Sequence, residues 1–145
     1  MAERILFVCL GNICRSPAAE GVFRDLCPQV VTDSAGTAGY HIGAAPYGPI
    51  QAAASQRGYD LSDLRARQFI AEDFARFDLI LAMDADNLRD IEAQRPSSNT
   101  TPVRLFTDYA SLPGADHVPD PYYTRDFEGC LDLIEDAAAG LAKTL

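Results

Sequence analysis

A chain of 145 residues with 48% hydrophobic content can bury one core without disulfides, so a single domain over 1–145 is expected. A formal charge of −9 with a single Lys disfavours non-specific nucleic-acid binding, so an anionic substrate has to meet a local positive site. No run approaches a membrane span, and Ile5–Leu10, preceded by Arg4 and opposed by Glu3, is short for a secretory segment.

Ile5-Leu6-Phe7-Val8 predicts a first strand over Arg4–Val8. A Cys opens the loop after it and an Arg closes that loop six positions later. Ser16 suits an N-cap and Pro17 the first helical position, which predicts a helix over Pro17–Leu26, stopped by Pro28. A second strand over Val30–Ser34 leads into a Gly- and Ala-rich loop, Ala35–Pro46. A helix follows over about Ile50–Arg57, ended by Gly58. Leu61–Arg67 is irregular, and Ala71–Arg76 is a short helix with Glu72 and Asp73 in its first turn. The third strand, Asp78–Met83, precedes a helix over Asp86–Gln94, stopped by Pro96; the fourth strand is Val103–Phe106. A long loop, Thr107–Tyr123, ends in a helix over Asp126–Lys143 with Leu131, Ile134, Ala138 and Leu141 on one face.

Apolar strands alternating with helices predict an α/β fold, a parallel sheet with helices on both faces and function at the carboxyl ends of the strands. Cys9, Ser34, Asp84 and the Asp120 loop all emerge at that edge. The loop Cys9-Leu10-Gly11-Asn12-Ile13-Cys14-Arg15-Ser16 has the makings of an oxyanion cradle. A thiol becomes a nucleophile as its thiolate, which a helix N-terminus and a neighbouring Arg favour. The helix offers free N–H groups to an anion. Gly11 and Asn12 tolerate positive φ, so successive N–H groups can converge. Arg15 supplies a planar fork for two phosphate oxygens.

A thiolate that attacks phosphorus must expel an alkoxide or phenolate, and that leaving group needs a proton. His41, His117 and the loop carboxylates are candidates. Asp120 is favoured, because it lies in the long loop at the catalytic edge with Pro119 and Pro121 restricting its backbone. Cys14 lies in the same loop as Cys9, so a peroxide-generated Cys9 sulfenate could be captured as a Cys9–Cys14 disulfide and later released by a thioredoxin-type reductant. The four Cys lack zinc-finger spacing; the expectation is a cytoplasmic protein with reduced thiols, no metal, no cofactor, and Cys27 and Cys130 as packing residues.

Val8 to Pro17 resembles the signature of the low-molecular-weight protein tyrosine phosphatases, and Asp120-Pro121-Tyr122-Tyr123 resembles their second signature. Asp33-Ser34-Ala35-Gly36-Thr37, Arg67-Gln68, Met83-Asp84 and Asn87-Leu88 resemble further family segments. The resemblance implies a strand order of 2-1-3-4 and hydrolysis of phosphotyrosine and small aryl phosphates through a phosphocysteine at Cys9. It implies that Arg15 and the loop residues Leu10, Gly11, Asn12, Ile13, Cys14 and Ser16 bind phosphate, and that Asp120 is general acid and base. Tyr40 and Tyr122 would stack on an aryl ring, and Tyr123 would support them in either a structural or a functional role. Asn12, Ser16 and Ser34 would hold the loop, with Ser16 also donating to the Cys9 sulfur. Asp84 would support the same edge or cap the helix that follows it.

The chain departs from the family pattern at two places. Tyr47 and Pro49 stand where an Asp and an Arg are usual, and Leu64 stands where some members carry a His. The departures fall at the start of the second helix and at a brace from that Arg to the catalytic edge. Two other readings share the cradle: an arsenate reductase and a non-catalytic phosphotyrosine binder. The first needs further thiols after the third strand, and residues 80–95 contain none. The second usually lacks the nucleophile or the acid. A P-loop nucleotide enzyme is disfavoured because no Gly-Lys-Ser/Thr follows the loop.

Overall fold

The structure, a computed structural model, describes residues 2–145. Four parallel strands form one sheet in the order β2-β1-β3-β4, the order that the resemblance implied. They are β1 (Arg4–Cys9), β2 (Val31–Gly36), β3 (Leu79–Ala82) and β4 (Val103–Leu105). The helices are α1 (Arg15–Leu26), α2 (Gly48–Gln56), the single turn α3 (Asp73–Arg76), α4 (Ala85–Glu92), the single turn α5 (Pro121–Thr124) and α6 (Phe127–Ala142).

The central strand explains the layering. Every residue of β1 from Ile5 to Cys9 is buried, because both faces of a central parallel strand are covered. Ile5, Phe7 and Cys9 point into one core with α1, α2 and α6; Leu6 and Val8 point into the other with Phe69, Phe74, Phe77 and Ile91. Phe7 lies 5.9 Å from Phe23 of α1 and edge-on at 5.2 Å to Phe106. Among the described residues no helix is long and apolar enough to cross a membrane.

Several boundaries differ from expectation for physical reasons. The first helix starts at Arg15, with Cys14 in the cap position and no side chain capping it. Ser16 is not the cap, because its hydroxyl is engaged with Cys9 and Asn12. Pro17 becomes the third helical residue, where its missing N–H still costs no helical bond. The loop expected over Thr107–Tyr123 holds two ordered turns. Phe106 leaves the strand to begin a 3-10 turn, Phe106–Tyr109, because its ring is needed against Phe7. Asp120 caps α5 and Pro121 is its first residue. The Tyr47 and Pro49 departure leaves α2 a sound start. Gly48 and Pro49 fill its first two positions, and the Tyr47 carbonyl accepts from Ile50 and Gln51.

Two contacts seat α6. Arg57, at the end of α2, is gripped by Glu128 (2.7 Å), Asp132 (2.9 Å) and Glu135 of α6, and Tyr59 donates to Glu135 at 2.7 Å. At the other end α6 lies directly on backbone, and a Cβ on Gly140 would stand 1.8 Å from the Tyr109 carbonyl oxygen. Gly140→Ala should therefore destabilise the protein by about 1–3 kcal/mol, the usual cost of overpacking, despite a helix-propensity gain near 1 kcal/mol. A urea midpoint equal to that of the unsubstituted protein would show that α6 shifts away freely.

Candidate active site

Five residues join the end of β1 to the start of α1, and this short path shapes the site. Asn12 is the turning point, with φ 57. Its side chain makes that conformation stable: Nδ2 donates to Ser16 Oγ (2.8 Å) and Ser34 Oγ (3.0 Å), and Oδ1 accepts from the Arg67 backbone N–H (3.0 Å). Gly11, expected to share the positive φ, does not have it. Its need is space, since a Cβ there would meet the His41 ring at 3.1 Å. Gly36, the last residue of β2, is needed for the same reason; a Cβ there would lie 2.7 Å from the Leu10 carbonyl oxygen.

This folding aims two donors at the Cys9 sulfur. The Asn12 backbone N–H lies 3.2 Å from Sγ and Ser16 Oγ lies 3.0 Å from it. Ser16 accepts from Asn12, and its own hydrogen has two acceptors in reach, the sulfur and, at 3.4 Å, the Ala35 carbonyl. Cys14, two positions after Asn12, differs. It is buried, and burial, with the charges of Asp120 and Cys9, pushes its thiol well above the usual range. Cys14 therefore stays a protonated thiol. Burial likewise pushes Cys130 up to about 12.

Arg15 is 3% exposed, and its contacts are directional. Nη1 donates to Asp84 Oδ2 (2.7 Å) and to the Val118 carbonyl (2.9 Å); Nη2 lies 3.5 Å from Asp120 Oδ2. Nε is buried with no partner among the described residues. The Nε–Nη2 edge is thus the side of the guanidinium left for a pair of oxygens. Burial works against the charge, but the Cys9 sulfur, the Asp84 bond and the Asp120 carboxylate raise the Arg15 pKa overall. Asp84 performs both roles weighed from the sequence, since its other oxygen accepts from the Asn87 N–H at 2.7 Å and caps α4. Asp120 accepts from the Tyr122 N–H at 3.1 Å.

These groups surround a cavity of about 270 Å³. Cys9, Leu10, Gly11, Ile13, Cys14 and Arg15 form its base, Asp120 stands on the wall, and Tyr40, His41, Tyr122 and Tyr123 form the rim. Tyr40 and Tyr123 are largely exposed. The side chains of Asn12 and Ser16, expected among the substrate-binding residues, do not line it; with Ser34 and Asp84 they stand behind the loop. His41, weighed from the sequence as a candidate acid, lines the cavity over Gly11. Among the described residues no group of three metal-ligating side chains occurs.

The sequence reading missed Val118, whose carbonyl holds Arg15, and Glu20. A backbone acceptor leaves no mark in sequence. Glu20 left one: it is an acid on the apolar face of α1, between Ala19 and Val22. It is 7% exposed and accepts from Ser34 Oγ at 2.7 Å, which places it at the far end of the chain Ser34–Asn12–Ser16–Cys9. Burial raises its pKa from 4.5 to about 7. The folded protein thus holds a proton that the unfolded chain releases, so this group's contribution to stability falls as pH rises from about 4.5 to about 7. Glu20→Gln should remove that slope, worth on the order of 3 kcal/mol. Urea midpoints at pH 5 and pH 8 test this, and equal pH dependence in both proteins would show that Glu20 ionises as readily in the fold as in water.

The geometry invites comparison with known proteins. Residues 4–145 match the family described as low molecular weight phosphotyrosine protein phosphatase. The chain is 45% identical to a low molecular weight protein-tyrosine-phosphatase of Streptomyces coelicolor, over 97% of this chain and 92% of the relative. It is 43% identical to the human low molecular weight phosphotyrosine protein phosphatase, over 87% of this chain and 86% of that one. The crystal structure of YfkJ from Bacillus subtilis superposes with a TM-score of 0.92 at 39% identity, covering 97% of this chain and 92% of that one. Sequence, fold and site agree, and the chain belongs to the low molecular weight phosphotyrosine protein phosphatase family.

Proposed function

We propose that the chain is a protein-tyrosine phosphatase that hydrolyses phosphotyrosine in proteins, and small aryl phosphates, through a phosphocysteine at Cys9. The observation that carries the reading is the Cys9 sulfur with two donors at the base of a cavity, facing the open edge of Arg15 and the Asp120 carboxyl. Loop N–H groups and the Nε–Nη2 edge of Arg15 hold the phosphoryl oxygens, where transition-state charge is spread. The Cys9 thiolate attacks phosphorus, the P–O bond to the aryl oxygen breaks, and Asp120 gives that oxygen its proton. Asp120, now a carboxylate, takes a proton from water as that water attacks the phosphocysteine. Inorganic phosphate leaves, and the thiolate returns to the hydrogen bonds of Ser16 and Asn12. Tyr40, Tyr122 and Tyr123 supply aromatic surface for the substrate ring.

The arsenate reductase reading has less support. That chemistry needs further thiols delivered near the end of β3, and Cys9 and Cys14 are the only two among the residues that line the cavity. All four cysteines stand unpaired, which supports a reducing compartment, and the cytoplasm is the location we assign. Turnover of a phosphotyrosyl peptide, run beside arsenate with thioredoxin, separates the two chemistries; reduction of arsenate without peptide turnover would overturn the phosphatase reading.

Asp120→Asn provides the finer test. A phenol has a pKa near ~10 and leaves poorly without a proton. Its burst rate on phenyl phosphate should fall by ~10²–10⁴-fold, the scale of general-acid catalysis. The fall with p-nitrophenyl phosphate should be smaller, because that leaving group needs little help. Equal losses would remove Asp120 as the acid. In the oxidised enzyme Cys14 captures the Cys9 sulfenate: the S–S bond forms, water leaves, and a thioredoxin-type dithiol restores both thiols. Cys14→Ser should therefore recover less activity than the unsubstituted protein after peroxide and then reductant. Equal recovery of the two proteins would exclude that protection.

A further inference from the structure

Asp120 sits on a weak scaffold. It caps α5, a helix of one turn, and a single turn has too few hydrogen bonds to hold its own conformation. Its position depends on what grips α5 from outside. Tyr47, the residue before α2, does so with its ring and its hydroxyl, and its backbone is anchored elsewhere. Its backbone N–H donates to the Ile13 carbonyl at 2.8 Å, which ties it to the loop around the sulfur. Its ring lies 5.2 Å from the Tyr122 ring and 6.2 Å from Phe127. Its hydroxyl accepts from Arg125 Nη1 at 3.0 Å, while the Arg125 guanidinium lies over both Tyr47 (5.3 Å) and Phe127 (5.1 Å). Arg125 is the left-handed residue that ends α5, with φ 64 and its N–H bonded to the Pro121 carbonyl at 2.9 Å.

We propose that Tyr47 is a positioning residue for the acid: by holding Tyr122 within α5 and Arg125 at its end, it sets where Asp120 stands over the cradle and the angle of the Tyr122 ring in the cavity wall. The role rests on the reading of Asp120 as proton donor. Tyr47 does not line the cavity, so it acts through these neighbours and touches no reacting atom. The oxyanion contacts of the cradle belong to other residues. Loss of the Tyr47 ring should therefore impair proton donation and leave phosphate binding in place.

Tyr47→Ala and Tyr47→Phe, measured as full-length proteins, test this. In Tyr47→Ala the burst rate on phenyl phosphate should fall by ~10-fold or more, within the ~10²-fold cost of a misplaced group, and the fall on p-nitrophenyl phosphate should be several-fold smaller. Inhibition by inorganic phosphate should stay within about 2-fold, since Arg15 and the loop are untouched. Amide exchange over residues 120–125 should accelerate in Tyr47→Ala, with β1 and α1 unchanged. Tyr47→Phe keeps the ring and should recover most of the rate. Equal losses on the two esters, weakened phosphate inhibition, or unchanged exchange over 120–125 would each overturn the role. Failure of the underlying reading shows elsewhere, as no leaving-group contrast in Asp120→Asn, and would overturn this role with it.

Discussion

A buried guanidinium is the constraint on which the site depends. Arg15 enters the interior as the first residue of α1, and a cation there must be met on every side. Asp84, the cap of α4 just beyond β3, meets one nitrogen, together with the Val118 carbonyl in the loop beyond β4, and Asp120 approaches another. Three segments far apart in the chain are thereby drawn to one point at the carboxyl edge of the sheet. What their contacts leave over is a single edge with an unpartnered Nε. The paired oxygens of an oxyanion match that edge in geometry and in charge.

That arrangement also reconciles the chain's charge with its substrate class. A protein of net charge −9 repels dianions over most of its surface. At the cradle the balance is reversed locally by one side-chain cation, by the N–H groups that open α1, and by the Asn12 N–H turned toward the Cys9 sulfur. These donors are fixed before any ligand arrives. Asn12 is bonded by both ends of its amide, Gly36 allows β2 to touch the loop backbone, and Glu20 anchors Ser34 from behind. Preorganised donors need no rearrangement as charge moves between oxygens, which is the main source of catalysis in phosphoryl transfer.

Much of this was legible in the sequence because its signals are local. The apolar run of β1, the Cys-to-Arg spacing, the face of α6 and the proline-bounded Asp120 each declare themselves within a few residues. What was misread depended on partners distant in sequence. Ser16 has the chemistry of a cap, and only the presence of Cys9 and Asn12 beside its hydroxyl decides against that use. Gly11 has the freedom for positive φ, and only the His41 ring above it shows that the need is room. Phe106 belongs to a strand by propensity and leaves it to pack on Phe7. The one-turn helix α5 carries the same cap-and-proline signal used to predict α1, but four residues give no periodicity to support it.

The two thiols of the loop show how far position outweighs residue type. Cys9 and Cys14 have similar exposure, 3% each, and stand five residues apart around the same turn. The difference lies in hydrogen bonding. Cys9 is the last residue of β1, where the chain's return through Asn12 brings a backbone N–H over its sulfur and α1 brings the Ser16 hydroxyl. Cys14 stands in the cap position of α1 with no side-chain cap bond, and Asp120 and the Cys9 sulfur act against its ionisation. Donors converge on one sulfur and negative charge faces the other, so two cysteines of one short loop meet opposite surroundings.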